Sequence, residues 1–189
     1  MIRVKKTIVF IAIICILSGC AGKKSFPIPM NECVIYNEQE VKIADLLDGK
    51  NLFFATADIN GDSNAEVGFV SDGILYIIDK QNMRVIYEGV SYEHMLNNGS
   101  KCGLIYQRDG GAPKHVEYQF IIFDENNLPH VECTWACYDD NEDDTFDGYD
   151  TYYFNDEPLE YEKWIKTTGE YMELAKDAET WTNISVNPN

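Results

Sequence analysis

The chain has 189 residues, with 15 Lys and Arg against 32 Asp and Glu and a net charge of −17. A field of that sign repels nucleic acid and anionic lipid head groups and draws in cations, which argues against nucleic-acid binding. The apolar fraction of 45%, with twelve Tyr and nine Phe, is that of a folded protein, so the charge does not signal disorder.

Arg3, Lys5 and Lys6 form a short positive stretch, residues 7–16 are almost wholly apolar, and small residues then lead to Cys20. That is the layout of a secretory signal peptide. The 13 residues from 7 to 19 fall short of the ~20 that span a bilayer. Leu17-Ser18-Gly19-Cys20 resembles the lipobox of bacterial lipoproteins. The resemblance implies cleavage before Cys20, acylation of its sulfur and a lipid anchor on the extracytoplasmic face of the cell membrane. One acyl chain anchors only marginally, whereas two hold firmly, and lipoproteins carry at least two. The 170 residues after position 19 hold 12 basic and 32 acidic side chains, a net −20, and suffice for one ordinary domain.

Residues 20–31, with two lysines and two prolines, read as a tether, and folded sequence is expected from residue 32 to residue 178. Residues 34–36 read as a strand, and 40–47 as a helical turn or a strand edge. Residues 51–57, 66–70, 74–78 and 84–87 are β-rich runs separated by Asp/Gly/Asn turns, the pattern of an antiparallel meander. Residues 91–98 suggest a helical turn, and 99–112 a glycine-rich loop around one short strand at 104–107. Residues 115–123 and 130–138 are long strands joined through the polar hairpin 124–127. An acidic loop at 139–150 leads to a strand at 151–154. After Pro158 the apolar period becomes helical over 159–178, with Gly169 expected to interrupt it. The tail, 179–189, has no period and is expected to be loose.

Four cysteines remain beyond the anchor: Cys33, Cys102, Cys133 and Cys137. Four can pair in three ways. On one strand Cys133 and Cys137 would stand ~13 Å apart on the same face, too far for a disulfide, so any bridge would reach Cys33 or Cys102. Four reduced thiols are the alternative.

The chemistry concentrates in residues 58–66. Asp58, Asn60, Asp62 and Glu66 place side-chain oxygens at loop positions 1, 3, 5 and 9, with the backbone carbonyl of Asn64 at position 7. A hard cation such as Ca2+ takes six to eight oxygens at ~2.3–2.6 Å, and alternate positions of a tightly curled loop converge on one point. Over these residues the sequence resembles the calcium loop of FG-GAP and VCBS repeats, D-x-[DN]-G-D-G-x-x-[DE]. An EF-hand loop would need a bidentate acid at position 12, which here is Phe69 in a strand. The resemblance covers about thirty residues, 51–79, and implies calcium-stabilised structure with adhesion or ligand recognition. Position 6, commonly glycine, is Ser63, which would carry a strain of about 1 kcal/mol in a left-handed conformation. Without a cation the segment would be an Asn-Gly hairpin turn with solvated charges.

A weaker second candidate presents Asp139, Asn141, Asp143 and Asp147 at the same positions 1, 3, 5 and 9. It has no glycine in the curl, and fifteen carboxylates crowd residues 115–162 with no Lys or Arg. Charge runs of this kind are usually solvated loops. His94, His115 and His130 show no metal or triad spacing. The aromatic run of Tyr149, Tyr152, Tyr153, Phe154 and Trp164 reads as core and sheet surface rather than a glycan platform.

The expected fold is mainly β, an antiparallel meander or curved sheet like part of a propeller, with a C-terminal helix. A closed propeller needs four or more blades. The expected function is a non-enzymatic, lipid-anchored, calcium-binding surface module that meets a glycan or protein. The alternatives are a carbohydrate-active hydrolase using paired carboxylates and an envelope scaffold binding protein through a Tyr-rich face. Wild-type protein should incorporate labelled palmitate and partition into detergent, and Cys20→Ala should abolish both. Palmitate labelling that survives the substitution would remove the anchor.

Overall fold

The computed structural model describes residues 25–47, 51–90, 93–97, 101–111, 114–176 and 181–185, so the lipobox and Cys20 lie outside the described residues. A hairpin of β1 (Cys33–Tyr36) and β2 (Gln39–Lys42) leads into a single helical turn, α1 (Ile43–Leu46). The first meander follows as β3 (Asn51–Ala57), β4 (Glu66–Ser71), β5 (Ile74–Asp79) and β6 (Arg84–Val90). The second comprises β7 (Glu93–Asn97), β8 (Cys102–Gly110), β9 (His115–Phe123), β10 (Pro129–Tyr138), β11 (Thr151–Phe154) and β12 (Glu157–Leu159). Helix α2 (Tyr161–Lys176) and β13 (Thr182–Ser185) follow. One sheet has seven strands in the order β13-β3-β4-β5-β6-β1-β2, the other six in the order β12-β11-β10-β9-β8-β7. The described pairings are antiparallel apart from β1 on β6. The fold is mainly β with a C-terminal helix, as the sequence pattern predicts.

Period-2 alternation sorts the apolar side chains into three cores. On β3, Leu52 and Phe54 point one way, with Val67 and Phe69 of β4, onto Ile43 and Leu46 of α1. Ala55 and Ala57 point the other way and join Leu75 and Ile77 against Leu104, Ile121 and Phe123 of the second sheet. The far face of that second sheet carries Phe120, Cys133, Trp135 and Cys137, covered by Trp164, Tyr171 and Leu174 of α2. The two sheets thus pack face to face, with a helical element on each outer side.

Cys133 and Cys137 share one buried face of β10, as the alternation requires, and all four described cysteines are free thiols. At Gly103 in β8 an added Cβ would stand 2.4 Å from the carbonyl oxygen of Ile121, so only glycine allows β9 to approach there.

Several expectations are corrected. Residues 93–97 are a strand rather than a helical turn, and the glycine-rich stretch after them is the nine-residue β8. Both meet a ready partner: β8 pairs with β7 on one side and β9 on the other, and that pairing outweighs weak local propensity. The tail is not wholly loose, because β13 closes the exposed edge of β3. Helix α2 begins at Tyr161, after β12, and runs through Gly169 without a break. Glycine costs about 1 kcal/mol in a helix, but Trp164, Thr168, Tyr171 and Leu174 form a buried stripe on both sides of it. The packed body also starts before residue 32. Ile28 is 5% exposed. Phe26 sets its edge on Phe54 and Phe69, with ring centroids 5.6 and 5.5 Å apart. The carbonyls of Met30 and Glu32 accept the amides of Ala44 and Ile43 at 3.0 and 2.9 Å.

Phe69 is fully buried and stacks on Tyr76 at 5.2 Å. Phe69→Ala should cost about 3–5 kcal/mol in urea unfolding, and Phe26→Ala a smaller but measurable amount. An unchanged midpoint for Phe26→Ala would return that segment to the role of a tether.

Candidate functional site

The loop between β3 and β4 curls around its own side chains. Asp58 accepts the amides of Gly61 at 2.8 Å and Ser63 at 2.9 Å. Asn60 Oδ1 accepts the amide of Asp62 at 3.1 Å, and Asp62 Oδ1 that of Asn64 at 2.7 Å. Glu66 closes the curl by accepting the amide of Ile59 at 2.9 Å. Gly61 and Ser63 take φ of 80° and 71°, so Ser63 does occupy the left-handed position that glycine would fill without strain. A carboxylate oxygen has two lone pairs, so accepting an N–H leaves capacity for a cation.

Glu66 is 1% exposed, at the root of β4 on the face turned toward the second sheet. Burial pushes its carboxyl up to about 7, and the charges of Asp62 and Asp58 add to the rise against the amides of Ile59 and Glu66. Burial likewise raises the Cys102 thiol at the start of β8, with Asp58 and Glu66 contributing. The same end of the fold is tied across the sheets. Asn60 Nδ2 donates to Asn127 Oδ1 at 2.9 Å, and Asn127 Nδ2 donates to the buried Asp79 at 3.1 Å. Asp79 in turn accepts the amide of Gln81 at 2.8 Å and Asn82 Nδ2 at 2.7 Å. Neither Asp79 nor Asn127 is legible from loop spacing, because they arrive from other turns.

The acidic loop between β10 and β11 repeats the pattern. Asp139 accepts the amides of Asp143 at 3.1 Å and Asp144 at 2.8 Å. Asn141 accepts the amide of Asp143 at 3.2 Å, and Asp143 that of Thr145 at 2.8 Å. Glu142 and Asp144 take φ of 58° and 65°, at the loop positions that Gly61 and Ser63 hold in the first loop. Asp139 is 1% exposed, so at its root this is not a solvated charge run. Asp150, at position 12, accepts the amide of Asp140 at 3.0 Å as Glu66 accepts that of Ile59, whereas Asp147 turns to the amide of Tyr149 at 2.8 Å. Counting on to position 12 in the sequence would have found Asp150.

Among the described residues, no three Asp, Glu, His or Cys side chains are gathered closely enough to hold a metal ion as they stand. The donors of both loops are hard oxygens, the type calcium prefers, so the residues fit the ion in kind and would have to draw together to coordinate it. Of the histidines, His130 lies 3.2 Å from Asp124 and His115 stacks on Tyr138. Glu117 and Asp156 share a cavity of about 330 Å3 on the second sheet. The Glu117 side chain is 40% exposed and Asp156 is exposed. The chain matches no protein-family model, no curated protein and no solved structure.

In EDTA, Glu66 should make stability depend on pH. Its folded carboxyl sits at about 7, above the ordinary 4.5, so protons favour the folded state. That contribution is complete below the ordinary value and is lost as pH rises through the folded one. Glu66→Gln keeps an acceptor for Ile59 and should flatten the stability profile across this window. Identical pH profiles for the two proteins would contradict the assignment.

Proposed function

We propose that this chain is a calcium-binding, lipid-anchored module on the extracytoplasmic face of the membrane, which recognises a ligand and performs no catalysis. The observation that supports it is the repeated ladder: two loops of different sequence fold their side-chain oxygens inward, each with left-handed residues at positions 4 and 6. In the first, Asp58, Asn60, Asp62, the carbonyl of Asn64 and Glu66 would hold the ion. In the second, Asp139, Asn141, Asp143 and Asp150 would do so, with Asp147 outside the set. Without a cation the acids of each loop repel one another in a chain already strongly negative. Calcium therefore binds the folded state preferentially.

A hydrolase using Glu117 and Asp156 is the alternative reading. A general acid at neutral pH needs an apolar, water-poor setting, and the exposure of these two carboxyls favours binding over catalysis. The membrane anchor rests on the lipobox resemblance alone.

Calcium at 100 times its dissociation constant should add about 2.7 kcal/mol of stability per occupied loop. Asp62→Ala should remove the first loop's share, while Asp72→Ala, in the β4–β5 turn, should leave the gain intact. With Ser63 strained, affinity should fall at ~10⁻⁴–10⁻³ M, the range of extracellular modules, and Ser63→Gly should tighten it. Calorimetry should count two ions per chain, and one after Asp143 and Asp150 are both changed to Asn. No calcium heat at millimolar concentration, with no shift in melting, would overturn the proposal.

A further inference from the structure

The first sheet covers only part of the second. Leu104, Ile121 and Phe123 lie under it, but farther along the same face β9, β10 and β11 stay open. Alternation turns Val116, Cys133, Trp135, Cys137 and Tyr152 toward α2, and so turns Glu117, Ala136, Tyr138 and Tyr153 outward. Register then sets one row across three strands: Tyr153 stands opposite Ala136, and Ala136 opposite Glu117. With strands ~4.8 Å apart, Tyr153 and Glu117 are about 10 Å apart at the backbone, with one methyl group between them. A small side chain between two long ones leaves a slot, and this is the cavity of about 330 Å3, a size that suits a small ligand.

Tyr138 forms one side of the slot. Its ring lies at 85° to that of Tyr153 with centroids 5.8 Å apart. His115 stacks behind it at 5.1 Å and 14°, and the Tyr138 hydroxyl donates to Glu117 Oε1 at 3.4 Å. Asp156 adds a second carboxylate. None of the described lining residues is Lys or Arg, although Glu117 has His115 Nε2 at 4.0 Å and Arg108 opposite it on β8. The slot therefore sets an edge-to-face pair of tyrosines beside two carboxylates, in a chain of net −17.

We propose that this slot binds a small organic ammonium ion of about the size of choline. Ring faces attract a cation through their quadrupole, the carboxylates supply opposite charge, and the field of the whole chain concentrates cations. A neutral sugar could stack on Tyr153 but would bring no counter-charge to Asp156, the carboxylate of the slot farther from His115 and Arg108. An anion is repelled. The proposal rests on the ligand-recognition half of the function above and is independent of calcium.

The test is calorimetric titration of the protein with choline chloride, in calcium and again in EDTA. The comparison ligand is 3,3-dimethyl-1-butanol, which has the shape of choline without its charge. Choline should bind saturably in both buffers, and the uncharged analogue about tenfold more weakly or less. Glu117→Gln, a surface change that leaves the fold intact, should weaken choline by a similar factor, as should Tyr153→Ala. Phosphocholine should bind more weakly than choline because its phosphate meets the carboxylates. Equal affinity for the uncharged analogue would overturn the proposal. So would saturable binding of methyl glucoside in place of choline, or unchanged affinity in Glu117→Gln. Any of these with calcium binding retained would overturn this proposal alone.

Discussion

A buried carboxylate, Glu66, is the constraint around which one end of this fold is organised. Its position at the start of β4, facing the second sheet, takes it out of water among apolar strands. An ionised group in that setting needs hydrogen bonds or a counter-charge. One amide, that of Ile59, comes from the far side of the loop, and reaching it bends residues 58–66 into their curl. The same bend brings Asp58 and Asp62 close enough to oppose the ionisation of Glu66. The loop thus gathers negative charge that a cation would relieve.

At that end the two sheets are joined by polar contacts as well as by the packing of Ile59 in the core it shares with Phe123. Asn60 comes from the β3–β4 loop, Asn127 from the β9–β10 turn and Asp79 from the end of β5, and one continuous hydrogen-bond path links them. Ordering the loop with a cation would fix Asn60, and through it the spacing of the two sheets at that edge. The open slot of the second sheet lies on other strands, where Ala136 leaves room between Tyr153 and Glu117. The calcium and recognition roles proposed above would occupy separate parts of the molecule.

Much of the fold is legible in the sequence where alternation is strong and turns are polar. β9 and β11 match their predicted ranges from end to end, since each is an unbroken β-rich run, β9 ending before Asp124 and β11 held between Asp150 and Asn155. β7 and β13 are not legible in this way. Glu93-His94-Met95-Leu96-Asn97 and Thr182-Asn183-Ile184-Ser185 hold few apolar residues, and each becomes a strand because a neighbouring edge is open to it. Proline-rich residues 25–31 read as a spacer, yet Phe26 and Ile28 find a core that only the folded sheet creates. The first loop could be read from its spacing. The hydrogen-bonded curl of the second loop is not legible from position-9 spacing, because the acid that bonds back to Asp140 is Asp150 and because Glu142 and Asp144 adopt left-handed backbone where glycine would be expected.

The most direct test of the central claim is a crystal structure of the protein grown in calcium, with anomalous scattering used to identify the ion. The account predicts an ion within about 2.3–2.6 Å of oxygens from Asp58, Asn60, Asp62 and Glu66, with the backbone of the curl retained. Well-ordered density in which those side chains bind only loop amides and water, at calcium concentrations that saturate extracellular modules, would contradict it.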